Sequence, residues 1–198
     1  LSPQDELTLE AWIKPDLLPR EKAVATILSS YGGRGEYSFG LTAPDGRLRV
    51  FASPLSPAEV LSSSGLMPDV WQHVAASWGK GRLRIFINGN LDTSAAYSGS
   101  LHTGKVGVRL GVDAKQAYPF QGAIDEVALT RRVKSDAEIA SSAGLMPSGG
   151  TYRSSVKDAA ATSPWRALSW EEGMPYGDEI ISSEVGLLSL YHLNETEA

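Results

Sequence analysis

The chain has 198 residues, 42% hydrophobic and 21% charged, with 20 Gly, 11 Pro and no Cys, which suits one main turn-rich core and excludes disulfides, thiolate metal sites and thiol nucleophiles. A net charge of -5 offers no basic stripe for phosphates, so nucleic acids and anionic membranes are disfavoured partners. No apolar run approaches the ~18 residues that span a bilayer, and the opening Leu1-Ser2-Pro3 reads as an internal point of a longer chain.

Leu7, Leu9, Ala11 and Ile13 alternate with Thr8, Glu10 and Trp12, the period of two of a strand with one buried face, and Pro15 ends it. Val24 to Ser29 follows, then Glu36 to Thr42 with Tyr37, Phe39 and Leu41 on one side, and Pro44-Asp45-Gly46 turns the chain into Arg47 to Ala52. The Ser- and Pro-rich stretch from Ser53 to Pro68 reads as a loop. Gln72 to Trp78 reads as a half-buried strand, with Val74, Ala76 and Trp78 on one face and His73, Ala75 and Ser77 on the other. Arg82 to Ile87 places Leu83, Ile85 and Ile87 inward and Arg82, Arg84 and Phe86 outward, and Asn88-Gly89 supplies the positive-φ pair of a type I′ turn. Val106 to Leu110 and Phe120 to Thr130 complete about nine or ten short strands. Ser135-Asp136-Ala137-Glu138 carries a helix signature, a capping box. The pattern predicts an all-β fold, a two-sheet antiparallel jelly-roll sandwich with one short helix.

Four segments in order carry a resemblance: Leu7 to Pro15, Trp71 to Ala75, Leu83 to Gly89, and Phe120 to Val127 closing in Ser135 to Ile139. Over residues 5–140 they resemble the laminin G-like domains of the concanavalin A-like lectin/glucanase superfamily, and the segment 120–139 is also similar to pentraxins. The resemblance implies two antiparallel sheets packed face to face, with ligand sites in loops at one edge or on the concave sheet. It also implies a strand ahead of Leu7, and none precedes it; Val185 to Glu195 looks like that strand, placed at the C-terminus. Two placements are open: the opening of a second copy, or the vacant edge of this domain or a neighbour's. The expected organisation is a sandwich over 1–142, a linker or packed appendage over 143–184 that docks through Trp165 and Trp170, and a strand in 185–198 completing this sandwich or a neighbouring copy.

Retaining glycosidases need two carboxyl groups roughly 5.5 Å apart. The nearest run here is Asp125-Glu126, whose side chains are expected on opposite sides of a strand, with Val127 and Leu129 where a third acid would sit. Catalysis is therefore disfavoured. His73, His102 and His192 are too dispersed for a zinc site, and no G-x-S-x-G occurs. Calcium is the one cofactor expected, because many of the domains the chain resembles use it; Asp113 and Asp125 are the candidate ligands at the loop edge, with Asp92 beside the Asn88-Gly89 turn as a further oxygen donor. Tyr31, Tyr97 and Tyr118 are the candidates for stacking on sugar, with loop packing as the competing role. Asn194-Glu195-Thr196 fits a glycosylation sequon and carries no weight by itself.

The functional expectation is a non-catalytic binding or adhesion module of a secreted or cell-surface protein, recognising a glycan or protein ligand. Against it stands an assembly module joining copies by edge-strand addition through residues 185–193, a homotypic contact. A jelly-roll glycoside hydrolase is the disfavoured third reading.

Overall fold

The structure, a computed structural model, describes residues 6–20, 23–31, 37–53, 55–100, 107–113, 115–144 and 187–191. Trp165, Trp170, His102, His192 and the 194–196 triplet lie outside the described residues. In chain order the elements are β1 (Leu7–Pro15), β2 (Val24–Ser29), β3 (Tyr37–Thr42), β4 (Arg47–Ala52), β5 (Glu59–Gly65), β6 (Gln72–Gly79), β7 (Arg82–Ile87), β8 (Asn90–Ala96), β9 (Arg109–Leu110), β10 (Gly122–Thr130), α1 (Asp136–Ala143) and β11 (Leu187–Tyr191).

They form a six-stranded sheet ordered β11-β10-β1-β6-β7-β8 and a five-stranded sheet ordered β5-β4-β3-β2-β9. Every pairing between the strands is antiparallel. The alternating apolar positions close one core: Leu7, Leu9 and Ile13 of β1, Val74, Ala76 and Trp78 of β6, and Leu83 and Ile85 of β7 meet Phe39 and Leu41 of β3 and Leu48 and Val50 of β4. Trp78 reaches across the layers to Tyr37, with ring centroids 5.5 Å apart. The jelly-roll sandwich with one short helix is therefore the fold.

Three local expectations need correction. The stretch read as a loop from Ser53 to Pro68 contains β5, which pairs with β4. Its sequence, Glu-Val-Leu-Ser-Ser-Ser-Gly, buries only Val60 and Ser62, so an apolar period of two is missing. Ser62 instead accepts a hydrogen bond from the Leu48 amide at 2.9 Å. The edge of β5 is also covered: Asp92 of β8 accepts from the Ser63 and Ser64 amides, and Thr93 Oγ1 accepts from Ser63 N at 3.0 Å. This ties the two sheets together along one side and blunts an exposed strand edge.

The second correction concerns the outer face of the six-stranded sheet. β6 is buried on both faces rather than half-buried, and Thr8 and Glu10 of β1 are as buried as the leucines beside them. The cover over part of this face is α1. Ser135 caps it, accepting from Glu138 N at 3.3 Å while Glu138 accepts from Ser135 N at 2.7 Å. The Arg132 hydrogen bond and the Ser135 donors hold the Glu138 carboxyl down to a pKa of about 2. Ile139 of the helix packs with Ala75 and Phe86, so the outward-pointing Phe86 is fully buried.

Beside this apolar contact is a polar one. Lys134 Nζ donates to Glu10 Oε2 at 2.7 Å and to Ser142 Oγ at 3.1 Å. Thr8 Oγ1 accepts from Lys134 N at 3.0 Å and donates to Arg132 O at 2.7 Å. His73 Nε2 lies 3.7 Å from Glu10 Oε1. Burial, and then the charge of Lys134, push the His73 pKa down to about 3, so it is neutral in ordinary buffers.

The third correction is at boundaries. The strand expected over Val106 to Leu110 is described as Arg109–Leu110, and β10 opens at Gly122 rather than Phe120. β11 takes the edge beside β10, with Val127 opposite Tyr191, Ala128 opposite Leu190 and Leu129 opposite Ser189.

Candidate functional site

The outer face of the five-stranded sheet is written by register. Across the strands, Arg109 of β9 lies opposite Ser29, Ser29 opposite Ser38, Ser38 opposite Phe51, and Phe51 opposite Glu59. Directly opposed residues share a face. Leu28 and Leu110, one position along, belong to the core or pack against it, so this row faces outward. A second row runs Pro119, Thr26, Gly40, Arg49 and Leu61. The middle positions are small. A Cβ on Gly40 would lie 2.4 Å from Ala25 O, where β2 bulges toward β3, so only glycine fits there.

Larger groups flank these positions. The Tyr31 ring stands edge-on to Phe51, with centroids 5.2 Å apart at 87°. The Arg49 guanidinium lies over the other part of that ring, 4.7 Å from its centroid, and its Nε is 2.6 Å from Glu59 Oε2. On the opposite side Tyr118 is 53% exposed, and its loop is fixed by the Thr26 amide donating to Tyr118 O at 2.9 Å. From β9 to β4 is three strand steps, about 14 Å at ~4.8 Å each, and the positions between, Ser29, Ser38 and Thr26, are buried. Aromatic rings beside charged hydrogen-bonding groups are the chemistry by which sugars are held: ring faces stack, and polar groups take the hydroxyls.

The residues singled out from sequence divide between this face and elsewhere. Tyr31 joins it through Phe51, and Tyr118 borders it through Thr26. Tyr97 does not: it is half-buried against the core beyond β8, and its amide donates to Gly81 O at 2.9 Å in the β6–β7 turn. Asp113 organises its own loop, accepting through Oδ1 from Lys115 N at 2.9 Å and Ala117 N at 2.7 Å. Asp125 sits on β10 opposite Trp12 and accepts from Glu126 N at 2.8 Å.

Each candidate calcium ligand thus has an oxygen committed to a backbone amide. Asp92 is engaged with β5. Among the described residues no group of three or more His, Cys, Asp or Glu assembles. At Asp125-Glu126 the expected strict alternation fails, because β10 is bulged against β1 there and Glu126 has a φ of 47°.

Sequence reading missed Phe51, Arg49, Glu59 and Arg109. The first two were marked: Arg47-Leu48-Arg49-Val50-Phe51 alternates, with Leu48 and Val50 inward, so Arg49 and Phe51 had to face outward together. Arg109 could not be found without the pairing of β9.

The aromatic and charged side chains of this face thus stand at its margins, around a centre in which Thr26, Ser29 and Ser38 are buried. The chain belongs to the concanavalin A-like lectin/glucanases superfamily, whose laminin G-like model matches residues 1–140. Among solved structures it is similar to domain 4 of an extracellular arabinanase from Geobacillus stearothermophilus in complex with arabinotriose, with 20% identity and a TM-score of 0.57 over 71% of this chain and 68% of that one. It is also similar to the carbohydrate-binding module of a Ruminococcus gnavus sialidase bound to α2,3-sialyllactose, with 23% identity and a TM-score of 0.57 over 70% of this chain and 82% of that one. A heptameric pentraxin from Limulus polyphemus matches at 16% identity and a TM-score of 0.52, over 72% of this chain and 71% of that one. No curated protein sequence matches the chain. At these identities the likeness establishes the fold. No helix among the described residues is long and apolar enough to cross a membrane.

Proposed function

We propose that this chain is a non-catalytic glycan-binding module of a secreted or cell-surface protein, and that its ligand lies on the outer face of the five-stranded sheet. One observation carries this reading: Tyr31, just beyond β2, and Phe51 of β4 form an aromatic pair flanked by the Arg49–Glu59 bridge. The domains with bound sugars to which the fold is similar support the ligand class. Glu59 is the one strand-borne acid among the described residues in the two rows, and Arg49 engages it.

The test is a glycan array followed by calorimetry on the best hit. Phe51→Ala is expected to weaken binding at least tenfold, roughly the 1.4 kcal/mol of a lost ring contact, with the melting temperature nearly unchanged. Equal affinity in that variant, or no glycan bound by the wild type, removes the proposal.

A second reading, assembly through edge-strand addition, is favoured by β11, which reaches β10 only after the 42 residues 145–186 and forms the edge of the sheet. The native chain has no Cys, so Ala128→Cys and Leu190→Cys report directly on that register. If strands exchange between copies, mixing the two single variants gives a disulfide heterodimer. If the double variant gives only an intrachain disulfide and the mixed singles give nothing, the assembly reading is wrong.

A further inference from the structure

We infer that the molecule carries a second carbohydrate platform, on the outer face of the six-stranded sheet where β1 ends and β6 begins, with the Trp71 and Trp12 indoles as stacking surfaces and Lys14 and Asp125 as polar contacts. It lies on the other sheet from the Tyr31–Phe51 pair and shares with that reading only the class of ligand.

The strand register builds this patch. Trp12 lies opposite His73 of β6 and Asp125 of β10, and Lys14 lies opposite Ala123. Ile13, between them, is in the core, so Trp12 and Lys14 point outward; Asp125 and Ala123 do the same on either side of Ile124, which packs against the core. Trp71 is one step past the Ile13–Gln72 pair and therefore joins Lys14 on the same side. The helix α1 packs further along the strands, where Ile139 meets Ala75 and Phe86. Trp71 is 37% exposed, and Trp12, Lys14, Ala123 and Asp125 are half-buried, so no buried residue interrupts the patch. From β10 to β6 is two strand steps, about 10 Å at ~4.8 Å each.

Both indoles are held in place. The buried His73 ring braces Trp12, with centroids 5.6 Å apart at 63°. The segment carrying Trp71 is fixed by the buried Gln72, whose side chain accepts from Met67 N at 3.2 Å and donates to Met67 O at 2.9 Å and Val70 O at 3.3 Å. Asp69 N also donates to Pro15 O at 2.7 Å. Of the six large apolar side chains exposed among the described residues, Leu17, Met67, Val70 and Trp71 gather at this end. Apolar surface concentrated and fixed in this way marks a binding site. Sugar matches its chemistry: indole faces take the apolar face of a sugar ring, the Lys14 ammonium donates to hydroxyls, and the Asp125 carboxylate accepts from them. An apolar protein surface would desolvate both charges without supplying partners.

Calorimetry on the full chain, with the best oligosaccharides from the array, tests the inference. The wild type is expected to bind two equivalents. Trp71→Ala should lose one of them or weaken it at least tenfold, and Trp71→Phe, which keeps a ring, should retain most of the affinity. Because Trp71 is exposed, both variants should melt with the wild type. Wild-type affinity and stoichiometry in Trp71→Ala overturn the inference and leave the five-stranded face standing. A loss in Trp71→Ala with none in Phe51→Ala upholds it and overturns that other site. Failure to bind any glycan overturns both, and a dimer dispersed by Trp71→Ala would then assign the patch to contact between copies.

Discussion

Replacing Lys134 by alanine is expected to lower the free energy of unfolding by about 3–5 kcal/mol, because it leaves a buried carboxylate without its counter-ion. Glu10 is shut between the sheet and the segment leading into α1, and Lys134 Nζ approaches it to 2.7 Å. Converting both partners, Glu10→Gln with Lys134→Met, should cost much less than either single truncation, since no uncompensated charge remains. Urea titration of the three variants checks this, and a double variant as damaged as Lys134→Ala would mean that packing rather than charge sets the cost.

The same cluster fixes an acid dependence. The His73 pKa falls from 6.5 to about 3 on folding, so the unfolded chain binds the extra proton first. Stability is then complete above pH 6.5 and declines as pH falls from there toward 3. His73→Gln should flatten that part of the profile. Lys134→Ala should narrow it, since its charge is the second cause of the shift.

Trp78→Ala is expected to cost about 3–5 kcal/mol by opening a cavity between the sheets. The indole is almost wholly buried and lies against Tyr37 of the opposite layer. Its Nε1 has no hydrogen-bond partner among the described residues, so Trp78→Phe gives up contact area but none of the described hydrogen bonds. Phenylalanine should therefore retain most of the stability, at a loss of about 1–2 kcal/mol on the area removed. Denaturant midpoints with unchanged slopes would verify the difference; equal losses would show that the shape of the indole, not burial, is what the site requires.

Much of the architecture can be read directly from residue order. β1, β3 and β4 alternate in sequence, and the Asn88-Gly89 turn and the Ser135–Glu138 box mark a hairpin and a helix start without any tertiary knowledge. What escapes is whatever depends on partners distant in sequence. β5 hides because serines line it and its stabilising contacts come from Leu48 and Asp92. Glu10 and Phe86 looked solvent-facing because a helix of eight residues, fifty or more positions later than either, covers their side of the sheet.

The candidate site follows the same division. Tyr31 and Tyr118 stand out as loop aromatics, but Tyr97 has the same local appearance and lies against the core instead. Arg109 gains its meaning only from a two-residue strand that places it in line with Phe51.

The order of the last three strands governs how the domain responds to tension. β1 and β11 are both antiparallel to β10, so they run in the same direction on its two sides. A pull exerted on the chain before Leu7 and after Tyr191 draws these flanking strands in opposite senses along their own axes. Antiparallel hydrogen bonds lie perpendicular to the strands, so this loads them in shear, all together, rather than peeling them open one at a time. Wherever tension enters at one of these ends and leaves at the other, that arrangement resists rupture along the line on which the chain itself transmits force.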